Sequence, residues 1–143
     1  MATEEGLCVT SSLTNLGDIA EYVAGRASAA GLDEERTFEV QMAVDEACTN
    51  SIQHAYRGHN TGELRVCCFR EGDDFVVEIT DFGAPFDPQS IPAPDVTGPL
   101  EERSIGGLGV YLMRQLMDSV QFRADPQSGN VVVMRKSTRI SAT

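Results

Sequence analysis

Lysine is almost missing from this sequence. Of its 11 basic residues only Lys136 is a lysine and the rest are arginines, so a phosphate-binding loop built on lysine is nearly excluded, and no G-x-x-x-x-G-K-[ST] stretch occurs. Basic charge as a whole is scarce. With 22 acidic against 11 basic residues the net charge is -11, a balance that repels a phosphate backbone and argues against a nucleic-acid partner. There is no run of about 18 apolar residues, so no membrane helix is expected. The opening MATEEGLCVT has neither a basic segment nor an apolar one, so nothing points to export, and a cytoplasmic location is expected. Histidine is limited to His54 and His59, and Cys8, Cys48, Cys67 and Cys68 form no C-x-x-C, so zinc-site spacing is absent. Cys67 and Cys68 point to opposite faces of an expected strand, and the four cysteines read as reduced, partly buried thiols.

At 143 residues, 41% of them hydrophobic, the chain is expected to form one domain over 1–143 with a real core. Its organising stretch is Glu39 to Arg57, EVQMAVDEACTNSIQHAYR. Val40, Val44, Ala47, Cys48, Ile52 and Ala55 recur every three or four positions, which predicts a helix with one buried face. Glu39, Glu46, Asn50, Gln53 and Arg57 then fall on the opposite stripe, and Glu46 and Asn50 lie one turn apart, pointing the same way. An amide carbonyl is a hard oxygen ligand suited to Mg²⁺, and a carboxylate four residues away can accept a proton from an attacking hydroxyl. Alone, such a pair is more often a solvated helix face.

Around that helix the chain reads in order. A short edge strand is expected over Gly6 to Leu13, then a helix capped by Thr14 or Asn15 and running to about Ala30, with Ile19, Val23 and Ala27 buried and Gly31 as its stop. Asp33 opens the long helix, Glu34 and Glu35 favour its positive end, and Gly58 ends it. Leu64 to Phe69 and Phe75 to Thr80 predict two strands joined through Gly72. They deliver Asp81-Phe82-Gly83, a carboxylate held where a strand stops beside a glycine that permits close approach of a ligand. This triplet is not the metal-holding one of eukaryotic protein kinases, because no H-R-D loop or V-A-I-K strand accompanies it.

Five of the six prolines fall between Phe82 and Arg103, and a lid-like loop is expected over about 82–106. Next, Gly106-Gly107-Leu108-Gly109 runs into a helical pattern of Leu108, Leu112 and Leu116 with Met113 and Met117. Such a turn offers backbone N–H groups and a positive helix end to phosphate oxygens. Ser119 to Ala124 and Asn130 to Lys136 predict two further strands.

Glu46-x-x-x-Asn50, Asp81-x-Gly83 and Gly107-x-Gly109, in this order, resemble the ATP-binding GHKL superfamily of sensor histidine kinases, Hsp90, DNA gyrase and MutL. Through VDEACTNSIQHAY, ITDFGAPFDP and GGLGVYLMRQLMD, the sequence is most similar within it to the bacterial anti-sigma-factor serine kinases of the RsbW and SpoIIAB type. The resemblance implies an α+β fold, a two-layer α/β sandwich (the Bergerat ATP-binding fold) with helices on one face of a mixed, mostly antiparallel sheet. It implies ATP and Mg²⁺, with Asn50 as metal ligand, Glu46 as general base and Asp81 accepting from the adenine amine beside Gly83. Gly106, Gly107, Leu108 and Gly109 would border the triphosphate, and Arg103 would neutralise γ-phosphate charge. It also implies a STAS-domain antagonist as substrate and a sigma factor or other regulator as competing partner, with a homodimer as a further expectation.

Two other readings remain. A complete histidine kinase would need a dimerisation helix pair with a phosphorylatable histidine, and neither His54 nor His59 lies in one. A non-catalytic module that sequesters its partner according to bound nucleotide differs from a kinase in phosphotransfer alone.

Overall fold

The computed structural model describes residues 2–3, 6–84, 107–125 and 127–139. The order of elements is β1 (Ala2–Thr3), β2 (Gly6–Thr10), α1 (Leu16–Ala30), α2 (Glu34–Asn50), β3 (Glu63–Glu71), β4 (Asp74–Asp81), α3 (Gly107–Leu116), β5 (Ser119–Asp125) and β6 (Gly129–Ser137). The strands form one sheet in the order β1-β2-β3-β4-β6-β5, and every described pairing is antiparallel. The helices lie over one face of it, the expected two-layer α+β sandwich.

Strand alternation decides which side chains meet the helices. On β4, Phe75, Val77 and Ile79 face the core together with Leu64, Val66 and Cys68 of β3 and Val132 and Met134 of β6. The helices answer with Ile19, Val23 and Ala27 from α1, Val40, Val44, Ala47 and Cys48 from α2, and Val110, Met113 and Met117 from α3. Burying each larger side chain of this set contributes roughly 1.5–3 kcal/mol. The seam of α3 is therefore Val110-Met113-Met117, while Leu112 and Leu116, which dominate its apolar pattern, are half-buried.

Local punctuation follows residue chemistry, with some corrections. Gly31 ends α1 in the left-handed region at φ 103°, and Asp33 caps α2 by accepting from the Arg36 N–H at 2.8 Å. The expected strand over Gly6 to Leu13 stops at Thr10 and is not the edge, because β1 pairs outside it. Of the two expected caps it is Asn15 that stands at the N-cap of α1, though without a side-chain capping bond, while Ser12 caps a short 3-10 turn at Leu13–Asn15. The long helix does not run as an α-helix to Arg57; Ser51–Ala55 forms a π-helical turn, closed by the Tyr56 N–H on the Ser51 carbonyl at 3.0 Å.

Lys136 is structural. Its ammonium donates to the Leu116 carbonyl at the end of α3 and pairs with Glu39 at 3.6 Å, which ties β6 to both helices. The expected lid over 82–106 lies outside the described residues from 85 onward. Among the described residues, no helix is long and apolar enough to cross a membrane.

Candidate active site

Strand alternation continues past the core and places a carboxylate on the apolar face. Asp81 ends β4 on the side of Phe75, Val77 and Ile79, is 6% exposed, and stands opposite Asn130 of β6. Burying an ionised carboxylate is unfavourable unless its oxygens are satisfied. Here they are: the Ser51 hydroxyl donates to Oδ2 at 2.7 Å, and the Gly83 N–H and Asn130 Nδ2 donate to Oδ1 at 3.1 and 2.8 Å.

Ser51 reaches Asp81 from the end of α2, where its backbone is still α-helical and its N–H bonds to the Ala47 carbonyl. The π turn that begins there brings the Ala55 carbonyl against the chain after Asp81, where it accepts from the Ala84 N–H at 2.9 Å. A Cβ at Gly83 would lie 2.3 Å from that same carbonyl oxygen, so no larger residue fits. Tyr56 closes the other side. Its hydroxyl donates to the Glu63 carbonyl at 2.6 Å and accepts from the Phe82 N–H at 2.7 Å.

Next to this floor lies a partly open cleft lined by Asn50, Ser51, Asp81, Met113, Asn130 and Val132 among others. Its walls are mostly apolar with a few fixed polar groups, the usual make-up of a small-molecule site.

Glu46 and Asn50 lie where α2 packs on the start of α3. A Cβ added at Gly109 would sit 3.0 Å from Glu46 Oε2 and 3.3 and 3.4 Å from Asn50 Nδ2 and Oδ1. The pair thus faces the first turn of α3 and is not the solvated stripe that its spacing alone suggests. Asn50 Nδ2 is buried and has no hydrogen-bond partner among the described residues, an unfavourable state that a ligand would relieve. Burial, and then the neighbouring Asp45, raise the Glu46 pKa above the ordinary carboxylate value, which makes it a better proton acceptor.

These residues fit a hard cation held chiefly by phosphates: the Asn50 amide supplies one oxygen, and among the described residues no cluster of three or more His, Cys, Asp or Glu gathers. Burial pushes the Cys48 thiol far up and the Cys68 thiol up to about 12, so both stay protonated; none of the four cysteines is in a disulfide.

Of the residues singled out from sequence, Glu46, Asn50 and Gly109 meet at the α2/α3 contact, and Asp81 and Gly83 meet at the end of β4. Gly107 and Leu108 lie in the first turn of α3, while Arg103 and Gly106 lie outside the described residues. Sequence reasoning missed Ser51, Tyr56 and Asn130. For Asn130 a signal exists, because it continues the alternation of Val132 and Met134 and is a polar residue on an apolar face. For Ser51 too a signal exists, because it lies four residues after Ala47 and three after Cys48, a polar residue on the buried face of the helix.

The comparisons agree with this fold. A family model described as "Histidine kinase-like ATPase domain" matches residues 9–136. The serine-protein kinase RsbW of Listeria monocytogenes serovar 1/2a is 39% identical over 118 residues, covering 80% of this chain and 74% of the relative. The serine-protein kinase RsbW of Bacillus licheniformis is 38% identical over 128 residues, covering 85% and 77%. Among solved structures, the RsbU and RsbW domains of Rv1364c from Mycobacterium tuberculosis align with TM-score 0.64 at 12% identity, over 92% of this chain and 32% of that one. The Erythrobacter litoralis EL346 blue-light activated histidine kinase aligns with TM-score 0.58 at 17% identity, over 87% and 41%. The chain belongs to the histidine kinase-like ATPase domain family and, within it, to the serine-protein kinases of the RsbW type.

Proposed function

We propose that this protein is a single-domain kinase of the anti-sigma-factor type that uses Mg-ATP to phosphorylate a serine or threonine of a STAS-domain antagonist, in a system where the antagonist and a sigma factor or other regulator compete for it. The observation that carries the reading is the joint placement of a Glu46 carboxylate with a raised pKa and an unsatisfied, buried Asn50 amide against Gly109 of α3. A surface stripe would show neither.

The adenine is assigned to the cleft over Asp81, where a carboxylate that accepts but cannot donate suits an exocyclic amine. Gly106, Gly107, Leu108 and Gly109 would border the triphosphate, and Arg103 would neutralise charge on the γ-phosphate. Asn50 would hold Mg²⁺, which when bound neutralises phosphate charge. Glu46 takes the proton from the acceptor hydroxyl as its oxygen bonds to the γ-phosphorus, while the bond from phosphorus to the bridging oxygen breaks and ADP leaves. On the antagonist the new phosphate adds about two negative charges facing a protein of net charge -11, which favours release.

The test is the intact mass of a STAS-domain antagonist after incubation with this protein, Mg²⁺ and ATP, beside Glu46→Gln. One added phosphate with wild type, lost in the variant, is the expected result. ATP binding and partner capture without any added phosphate would replace the kinase with a nucleotide-dependent binding module.

A further inference from the structure

We propose that Asn130 is the positioning residue that sets nucleobase selectivity, by occupying the one carboxylate oxygen of Asp81 that a guanine edge would need. The inference rests on the reading of Asp81 as the adenine contact. It comes from the hydrogen-bond inventory around that carboxylate.

An ionised carboxylate offers about four lone-pair sites, two on each oxygen. Both sites of Asp81 Oδ1 are taken, by the Gly83 N–H at 3.1 Å and by Asn130 Nδ2 at 2.8 Å. Oδ2 receives the Ser51 hydroxyl at 2.7 Å. One acceptor position is left, on Oδ2, in a residue that is 6% exposed and lines the cleft. A single acceptor suits one N–H, as an adenine amine presents. A guanine edge presents a carbonyl oxygen and two N–H groups side by side, and a carboxylate binds those two donors only by turning both oxygens toward them. With Oδ1 held, that rotation is closed.

Asn130 is the firmest part of the restraint. Its Nδ2 also reaches the carbonyls of Gly83 at 3.2 Å and Ala84 at 3.1 Å, so all three of its neighbours are acceptors and only the amine end of the amide can face them. The strand register puts it directly opposite Asp81. Gly129, at φ 89°, lets β6 come close, since a Cβ there would lie 2.5 Å from the Asp81 carbonyl oxygen. Asn130 therefore ties the last pair of β4 and β6 to the chain leaving the sheet, and the Asp81 rotamer is held from both sides.

The experiment is equilibrium binding of Mg-ATP, Mg-GTP and Mg-purine riboside triphosphate, which lacks the exocyclic amine, to wild type, Asn130→Leu and Asn130→Ser. If Asn130 acts through Asp81, leucine weakens ATP about tenfold, the loss of roughly one hydrogen bond to a charged group. Binding of the amine-free analogue stays within about twofold, the ratio of ATP to GTP affinity contracts about tenfold or more, and serine, which keeps one donor, restores most of that ratio. Equal weakening of all three nucleotides by leucine would mean general damage to the pocket and would overturn the proposal, as would an unchanged ATP to GTP ratio. A wild type that binds ATP no tighter than the amine-free analogue would remove Asp81 as the base contact, and that failure is visible before any variant is made.

Discussion

Replacing Gly83 with alanine adds one methyl group at the tightest point of the site, and the geometry sets what must follow. The new Cβ would stand 2.3 Å from the Ala55 carbonyl oxygen, 2.5 Å from its carbon and 2.7 Å from the Ala55 Cβ. Two of those three atoms are backbone, so no side-chain rotation relieves the contact; either the π turn or the end of β4 has to move. Overpacking of this kind costs about 1–3 kcal/mol. The displacement also strains the Ala84 N–H to Ala55 carbonyl bond of 2.9 Å, worth about 1 kcal/mol. Together they predict a loss of about 2–4 kcal/mol, a large share of the 5–15 kcal/mol typical of a folded domain. The assay is urea unfolding with and without Mg-ATP, with Gly25→Ala as internal control. Gly25 sits inside α1 with nothing within 4 Å of an added Cβ, so that alanine should stabilise by about 0.5–1 kcal/mol. Gly83→Ala should therefore lower the midpoint, abolish stabilisation by ATP and act with the opposite sign to the control. A Gly83→Ala protein as stable as wild type and equally protected by ATP would refute the packing of β4 on the π turn.

Other outcomes follow from the same contacts. Glu46→Gln should lower kcat by about 10²–10⁴-fold with little change in ATP affinity, and in wild type the rate should fall as pH drops through the raised Glu46 pKa, whereas a rate-limiting base of ordinary pKa would hold its rate to lower pH. The same raised pKa bears on stability: a carboxylate easier to protonate when folded stabilises the fold below its unfolded pKa and loses that contribution as pH rises through its folded pKa. Glu46→Gln should therefore melt higher than wild type at neutral pH, with the difference shrinking as pH falls through the raised folded pKa and gone below about pH 4, and a variant that melts lower at neutral pH contradicts the burial of this charge. Lys136→Met should lose about 1–2 kcal/mol in urea unfolding, because the Leu116 carbonyl and Glu39 both lose the ammonium, yet leave phosphotransfer intact; lost catalysis in a folded Lys136→Met protein would show the single lysine to be part of the chemistry.

Much of the architecture was legible before any coordinates because it rests on period and punctuation. The alternation of Phe75, Val77 and Ile79, the helical spacing of Val40, Val44, Ala47 and Cys48, and the stops at Gly31 and Gly72 are local, and each segment carries its own preference. The Glu46 and Asn50 pair was legible for the same reason, four residues being one helical turn. Its surroundings were not. Spacing says that two side chains point the same way, but not that the first turn of α3, more than fifty residues further on, meets them there.

The sequence by itself determined the two layers, the order of most elements and the chemistry available at Glu46, Asn50 and Asp81, since periodicity and functional groups are properties of the chain. Only the tertiary structure decided that the Asn50 Nδ2 is buried with no partner among the described residues, that Lys136 serves the fold, and that Ser51 and Asn130 grip Asp81. The physical reason is the same in each case. The packing of α2 on the sheet brings Ser51 to the end of β4 and a strand register sets Asn130 opposite Asp81, and both depend on contacts between segments distant in the chain.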